Sequence, residues 1–497
     1  MATHPFIFLL LLSIAFAVER DIKLYWNRLK NPQKVYQLYR SLGFSTIWVL
    51  EESKNIRVYH RLLEKLRIHG LKEEDYLPKE GLPLELAYTD SLIRLAYDLY
   101  YGRVEPKRLF GGWTIPRKPD IVISLLSELI KEDRLEELID RLSPPHKDYK
   151  RLVEEAEYLE EISSIEWKSI RLNRELGLGD KSPCLDEIRF RLFLLGDLED
   201  YKPSYVFDKE LERAVKRFQE RHGINPTGKI GQATIKWLNL SPAERLKIIH
   251  LNLEKYRWLP EIVQGIIVNI PSFEMHVVKD GTVLLHSKVI VGRSYKEDFR
   301  PTPMLYSRVE SITINPKWYV PVSISAKDIV PKVKKDPQFL SKKGFKVYMN
   351  GQEIDPSSIN WEGLSEENFP YRLVQKAGPK NALGRIKFNL PNPFDVYLHD
   401  TPDKHLFKRH RRDFSSGCIR IEKAKELALL LLDGDWSRER LERLINAGET
   451  ASLKPKNRMP VFILYFTAFE KDGLINYRED IYEYDRILSK ALSGGPR

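Results

Sequence analysis

The amino-acid sequence predicts a multidomain α+β protein, and three observations predict it. At 497 residues the chain is too long for one ordinary core. From about Val18 to Leu176 apolar residues recur at helical spacing, punctuated by Pro78, Pro83, Pro106, Pro116 and Pro119. From about Gly265 the period changes to two, as in strands. A helical region therefore leads, a small three-helix module follows, and a β-rich domain with a lid-like insertion closes the chain.

Hydrophobic residues at 42% and charged residues at 30% fit a soluble globular protein rather than a disordered or membrane-embedded one. The 81 basic and 70 acidic residues leave a net charge of +11, which suits an acidic polymer without choosing among such polymers. Residues Phe6 to Val18 form an apolar run too short to span a bilayer comfortably. The run ends in Ala15-Phe16-Ala17, so residues 1–17 read as a secretory signal peptide cut after Ala17, with an uncleaved anchor as the alternative. No later segment is long and apolar enough to cross a membrane, so no stable span is expected after cleavage.

Residues 18–180 form the helical domain, with stripes over Ile121 to Leu142 and Leu152 to Leu172, and no residues there converge on chemistry. Residues 181–240 form the compact module. Leu185, Ile188, Leu192 and Leu195 mark one helix face; Leu211, Ala214, Val215 and Phe218 mark a second. A short third helix spans Gln232 to Leu238. Residues 241–497 form the β-rich domain. Strands are expected at Ile266–Ile270, Phe273–Val278, Val283–Val291, Val309–Ile314 and Asp395–His399, with Asp280-Gly281 turning a hairpin. Residues 316–383 interrupt it with Pro, Lys and aromatics, as lids and binding loops do. Residues 447–497 form a C-terminal extension.

The chemistry gathers around one of the two cysteines, Cys184 and Cys418. Cys184 reads as a small buried hydrophobe. Cys418 ends Ser415-Ser416-Gly417-Cys418, downstream of an alternating segment that points Tyr397 and His399 to one face. A neighbouring imidazole can deprotonate a thiol or hold it as thiolate. A glycine before the cysteine permits a tight turn whose N–H groups face a developing oxyanion. Against this stands the frequent fate of cysteine as an inert buried side chain.

These residues resemble the signature of the L,D-transpeptidase family: a His, a spacer, Ser-x-Gly-Cys, an apolar residue and Arg. The interval here is 418 − 399 = 19 residues. Ser416 stands where many members have a second His, which resembles the large periplasmic branch of the family. Leu253-Glu254-Lys255-Tyr256-Arg257-Trp258-Leu259-Pro260 and Tyr319-Val320-Pro321 resemble that branch as well. The module resembles peptidoglycan-binding domains through Leu192, Gly196, Ala214, Phe218, Gln219, Gly228 and Gly231.

The resemblance implies a helical scaffold domain, a peptidoglycan-binding domain and an L,D-transpeptidase catalytic domain. It implies Cys418 as nucleophile and His399 as base. Gly417, Ser416, Tyr397 and Arg420 then serve the oxyanion or the substrate. Cys418 would attack the third stem-peptide residue, expel D-alanine and hand the acyl group to an amine on another stem peptide. Tyr397 has a core role as its rival reading, and Arg420 has an ion pair with a structural acid. Asp400, next to His399, should point to the opposite face. The run Lys404 to Arg412 reads as a solvated loop. No metal site and no cofactor are expected: ligand spacings and phosphate loops are missing from the sequence. The expected partners are peptidoglycan stem peptides, donor and acceptor, and the expected location is the periplasm, on the cell wall. A cysteine peptidase of wall peptides and a non-catalytic wall-binding scaffold are the competing functions. Nucleic-acid binding lacks a motif and conflicts with the signal segment.

Overall fold

The computed structural model describes residues 17–48, 53–434 and 436–494. The expected signal peptide, apart from Ala17, lies outside the described residues. Among the described residues no helix is long and apolar enough to cross a membrane. The described residues form two compact units, one of residues 17–48, 53–109, 116–262 and 466–494, the other of residues 110–115, 263–434 and 436–465. The first therefore takes in residues 241–262 and 466–494, which the sequence reading placed with the β-rich domain.

The first unit includes α1 (Pro32–Ser41), α2 (Lys54–Glu64), α3 (Leu84–Tyr101), α4 (Val122–Lys131), α5 (Lys147–Glu161), α6 (Cys184–Leu194), α7 (Lys209–Arg221), α8 (Gln232–Leu238) and α9 (Pro242–Arg257), with a two-stranded hairpin of Ala468–Lys471 and Leu474–Tyr477 and a helix over Tyr484–Ser493. Ser53 accepts a hydrogen bond from Ile56 N at the start of α2. Ser241 and Glu244 form a capping box on α9 with Pro242 in its first turn. The helical expectation over Leu152 to Leu172 ends early: a 3-10 turn at Ile162–Ser164 leads into extended backbone at Ile165. Ser163 and Ser164 favour such an exit. Beyond them Trp167 donates to Leu238 O, and Ile170 N donates to Asn239 Oδ1, so the segment runs along the module.

The segment Leu253 to Leu259 is a buried linchpin of this unit. The carboxylate of Glu254 accepts from Arg103 N, Val104 N and Trp258 Nε1 and pairs with Arg257 at 3.1 Å. Tyr256 donates to Asp148 at 2.6 Å. In the module, Gln219 is a structural residue: its amide donates to Lys229 O and accepts from Gly228 N.

The second unit carries β1 (Gln264–Asn269), β2 (Glu274–Lys279), β3 (Thr282–Tyr295), β4 (Asp298–Arg300), β5 (Leu305–Arg308), β6 (Ser311–Ile314), β7 (Trp318–Tyr319), β8 (Phe345–Met349), β9 (Gln352–Ile354), β10 (Arg372–Gln375), β11 (Ile386–Asn389), β12 (Leu398–His399), β13 (Asp413–Ser415), β14 (Ile419–Ile421), β15 (Ala451–Leu453) and β16 (Pro460–Leu464). A 12-stranded sheet runs β15-β6-β11-β12-β14-β3-β2-β1-β16-β5, with β13 and β4 also pairing with β3. Its buried face alternates as expected, through Ile266, Val268, Met275 and Val277. Each such side chain contributes about 1.5–3 kcal/mol by leaving water. The hairpin turn falls at Asp280-Gly281, both with positive φ, as a two-residue turn between twisted strands demands.

Two sequence expectations change here. The strand foreseen at Asp395–His399 shrinks to Leu398–His399, because Asp395 adopts a φ of +52° in a turn that the Asn392 side chain ties down through Phe394 N and Val396 N. The interruption at 316–383 is a folded piece rather than an open loop. It holds a four-stranded sheet, β7-β10-β8-β9, over its own apolar core of Val330, Val333, Leu340, Val347 and Leu373.

Candidate active site

Strand pairing decides which side chains share the site. β12 lies between β11 and β14, with Leu398 opposite Ile419 and His399 opposite Arg420 in a parallel pair. Leu398, Ile419 and Ile421 are fully buried in the core. Period two then sends Tyr397, His399, Cys418 and Arg420 to the other face. All four line a cavity of about 300 Å³ together with Ser415 and Ser416. A second cavity, about 1180 Å³, shares Cys418, Tyr397 and Ser416 and extends past Tyr319 and Phe394. The thiol sits where the two meet.

The turn carrying Cys418 is held from several sides. Gly417 has φ +113°, a conformation that side chains disfavour. The Ser415 hydroxyl donates to Cys418 O and accepts from Gly417 N at 3.1 Å, so that N–H is already engaged. Thr302 Oγ1 donates to Gly417 O and accepts from Gly292 N, both at 2.8 Å. A Cβ at Gly292 would meet Arg300 O at 2.1 Å, so this close approach requires glycine. Ser416 Oγ accepts from Arg300, which also pairs with Asp328 of the insertion through two contacts of 2.7 and 3.0 Å. An ion-pair cluster thus joins the insertion to the cysteine turn.

His399 is buried, and its Nδ1 lies 2.5 Å from Asp400 O. A carbonyl accepts only, so Nδ1 carries the proton and Nε2 keeps a lone pair. Burial and the Arg420 guanidinium lower its pKa to about 3, leaving a neutral imidazole. The Asp400 carboxylate faces elsewhere, accepting from Arg385 N and pairing with Lys404. Burial raises the Cys418 thiol, while the Tyr397 backbone and phenol, Lys387 and Arg420 act the other way. Its Sγ lies 3.7 Å from Asp395 O, to which the thiol donates.

Tyr397 packs edge-on against His399 at 5.6 Å between ring centroids, and burial pushes its phenol well up. Arg420 reaches Asp403 at 3.7 Å, and both line the smaller cavity. Lys387 escaped the sequence reading. It faces His399 across β11–β12, with Nζ 4.1 Å from the Tyr397 ring centroid. Only the strand register, which the sequence does not display, brings it there. The basic run also differs from a solvated loop. Arg412 is buried and donates to Phe273 O, Val289 O and Arg409 O, satisfying carbonyls at the end of the hairpin.

Residues 264–442 match the YkuD model, described as "L,D-transpeptidase catalytic domain". Residues 33–155 match "Scaffold domain" and residues 191–238 match "Putative peptidoglycan binding domain". A protein of Haemophilus influenzae described as "Putative L,D-transpeptidase" is 39% identical over 243 residues, covering 48% of this chain and 48% of that protein. The match thus spans about half the length of that curated relative. Among solved structures, the L,D-transpeptidase of Stackebrandtia nassauensis aligns at 13% identity and a TM-score of 0.22, over 60% of this chain and 97% of that one. The L,D-transpeptidase fragment of Xylanimonas cellulosilytica aligns at 13% and 0.19, over 59% and 100%.

Proposed function

We propose that this chain, whose residues 264–442 match the L,D-transpeptidase catalytic domain, is a cysteine acyltransferase cross-linking peptidoglycan stem peptides. The observation that carries the reading is the shared face of Cys418 and His399 at a cavity, with Asp400 O holding the proton on Nδ1 and so the lone pair on Nε2. A neutral thiol and a neutral imidazole make His399 a general base at the moment of attack. The thiol proton passes to Nε2 as sulfur bonds to the carbonyl of the third residue. Collapse breaks the amide, the imidazolium protonates the departing D-alanine amine, and a thioester remains. An acceptor amine then attacks the thioester, gives its proton to Nε2 and releases the thiol.

The Tyr397 phenol stands beside the sulfur and is suited to stabilise the oxyanion. Lys332, Lys343, Lys380 and Arg420 make the smaller cavity basic, which suits a carboxylate-bearing tetrapeptide donor. The larger cavity leaves room for the acceptor, and two cavities at one thiol favour transfer over hydrolysis. The module at residues 181–240 would hold the enzyme on the wall and raise the local concentration of stem peptides. Export to the periplasm through residues 1–17 completes the reading.

Purified protein incubated with disaccharide-tetrapeptides and analysed by mass spectrometry tests it. A dimer lacking one D-alanine, absent with folded Cys418→Ser, is expected. Tripeptide monomer alone would establish a peptidase, and unchanged substrate a binding scaffold.

A further inference from the structure

Away from the cysteine site, Glu274, His276 and His286 converge on one face of the β2–β3 hairpin, each half-buried. Glu274 and His276 are two residues apart on β2 and so point the same way. His286 comes from β3, and its arrival depends on an irregularity. The ladder pairs Lys279 with Thr282 and Val278 with Val283, but Val277 with Leu285, so one residue is extra on β3. That bulge sets His276 directly opposite His286, with ring centroids 4.8 Å apart. Without it, His276 would face Leu285, and the second imidazole would be out of register.

The donor atoms are already gathered. His286 Nε2 lies 3.3 Å from Glu274 Oε1, and His276 Nε2 lies 3.9 Å from Oε2. One ligand atom from each residue falls within 4.8 Å of the other two. Metal bonds of about 2.0–2.1 Å place tetrahedral donors about 3.3 Å apart, so a small rotation of His276 closes the set. Two imidazoles and one carboxylate suit zinc and its borderline neighbours rather than magnesium or calcium, which prefer oxygen. Lys288 lies opposite Glu274 on β3, and the charge of Arg412 also acts with that of Glu274. Those cations further disfavour an oxygen-seeking ion bound by charge alone.

We propose that Glu274, His276 and His286 form a binding site for one zinc-class divalent cation, with a fourth position open to solvent. The ion clamps β2 to β3 where the bulge interrupts the ladder. β3 continues past the bulge to pair with β13 and β14, which flank the Cys418 turn, so the clamp steadies the strand behind the nucleophile.

The test uses full-length chain without a histidine tag and with Cys184→Ser and Cys418→Ser, which removes both thiols as competing ligands. Zinc titration against a chromophoric chelator should show one tight ion per chain, and saturating zinc should raise Tm. Adding His276→Gln and His286→Gln should weaken binding at least 100-fold and abolish the Tm rise. Tight binding that survives both substitutions would overturn the site, as would magnesium binding as strongly as zinc. Should the double variant fold poorly, anomalous diffraction at the zinc edge from crystals of the thiol-free chain decides. A peak between the three side chains upholds the site, and none there at saturating zinc overturns it.

Discussion

Cys418 and His399 are displaced in opposite senses, and both displacements follow from burial, which penalises whichever form is charged. An imidazole lowered to about 3 stays neutral far below its ordinary value of about 6.5. The kcat/KM of the proposed transfer should therefore stay level as pH falls from 7 to 5. A half-maximal point between pH 6 and 7, removed in a His399 variant, would contradict the assignment. The same displacement has a stability sign. Between about 3 and about 6.5 the unfolded imidazole holds a proton that the folded one does not, so acidification through that window works against folding at this residue. Lys387 supplies a second residue-scale prediction. Its charge favours the thiolate, so Lys387→Met should raise the pH at which Cys418 is half-alkylated by iodoacetamide. An unchanged alkylation profile would remove Lys387 from the electrostatics of the site. Cys418 and His399 were legible in the sequence because their motif is local. Lys387 was not, since it joins them through pairing of β11 with β12 across the irregular connection 390–397.

Elements set the precision of the cysteine turn. Thr302 bridges Gly292 N and Gly417 O, and Gly292 lets the backbone around Arg300 approach. Gly292→Ala would drive a methyl against backbone oxygen at 2.1 Å, and overpacking of that kind costs about 3 kcal/mol at the upper end of its usual range. A fall in denaturant midpoint with a disproportionate loss of turnover is expected. Retention of full activity would mean that the turn tolerates the shift. Strands β1, β2, β3 and β6 and the three helices of the 181–240 module were readable from period, and the β2–β3 hairpin from Asp-Gly. In the insertion, the β8–β9 hairpin turns at Asn350-Gly351, a local signal that the reading passed over, whereas β7 and β10 join through non-local pairing that the sequence does not display. The turn at Asp395 was hidden for a different reason: the sequence alternates through it, while the Asn392 side chain bends the backbone.

At the scale of the whole molecule, the first unit depends on buried charge. Glu254, 2% exposed, satisfies backbone N–H groups of residues 103 and 104 and pairs with Arg257, 1% exposed. Removing one partner of a buried pair typically costs about 3–5 kcal/mol. Glu254→Ala should accordingly unfold this unit at lower temperature in calorimetry. An unshifted transition would show that the pair contributes nothing net. The peptidoglycan-binding module is stitched into the same unit. Arg221 pairs with Asp197 at 2.7 Å and donates to Ile475 O, while Tyr477 stacks on His222 at 5.5 Å between centroids. Excising the module would strip these partners, so point substitutions on its surface are the cleaner probe of wall binding.

Residues 466–494 belong to the same unit as residues 17–48, while the whole of the second unit lies between them in sequence. During synthesis from the N-terminus, the helical unit stays incomplete until residues 466–494 emerge. The β-rich unit has all its segments once residue 465 has been made. Helices made before the second unit thus complete their packing only after it has been made, and through that interval their open apolar surface is an aggregation hazard.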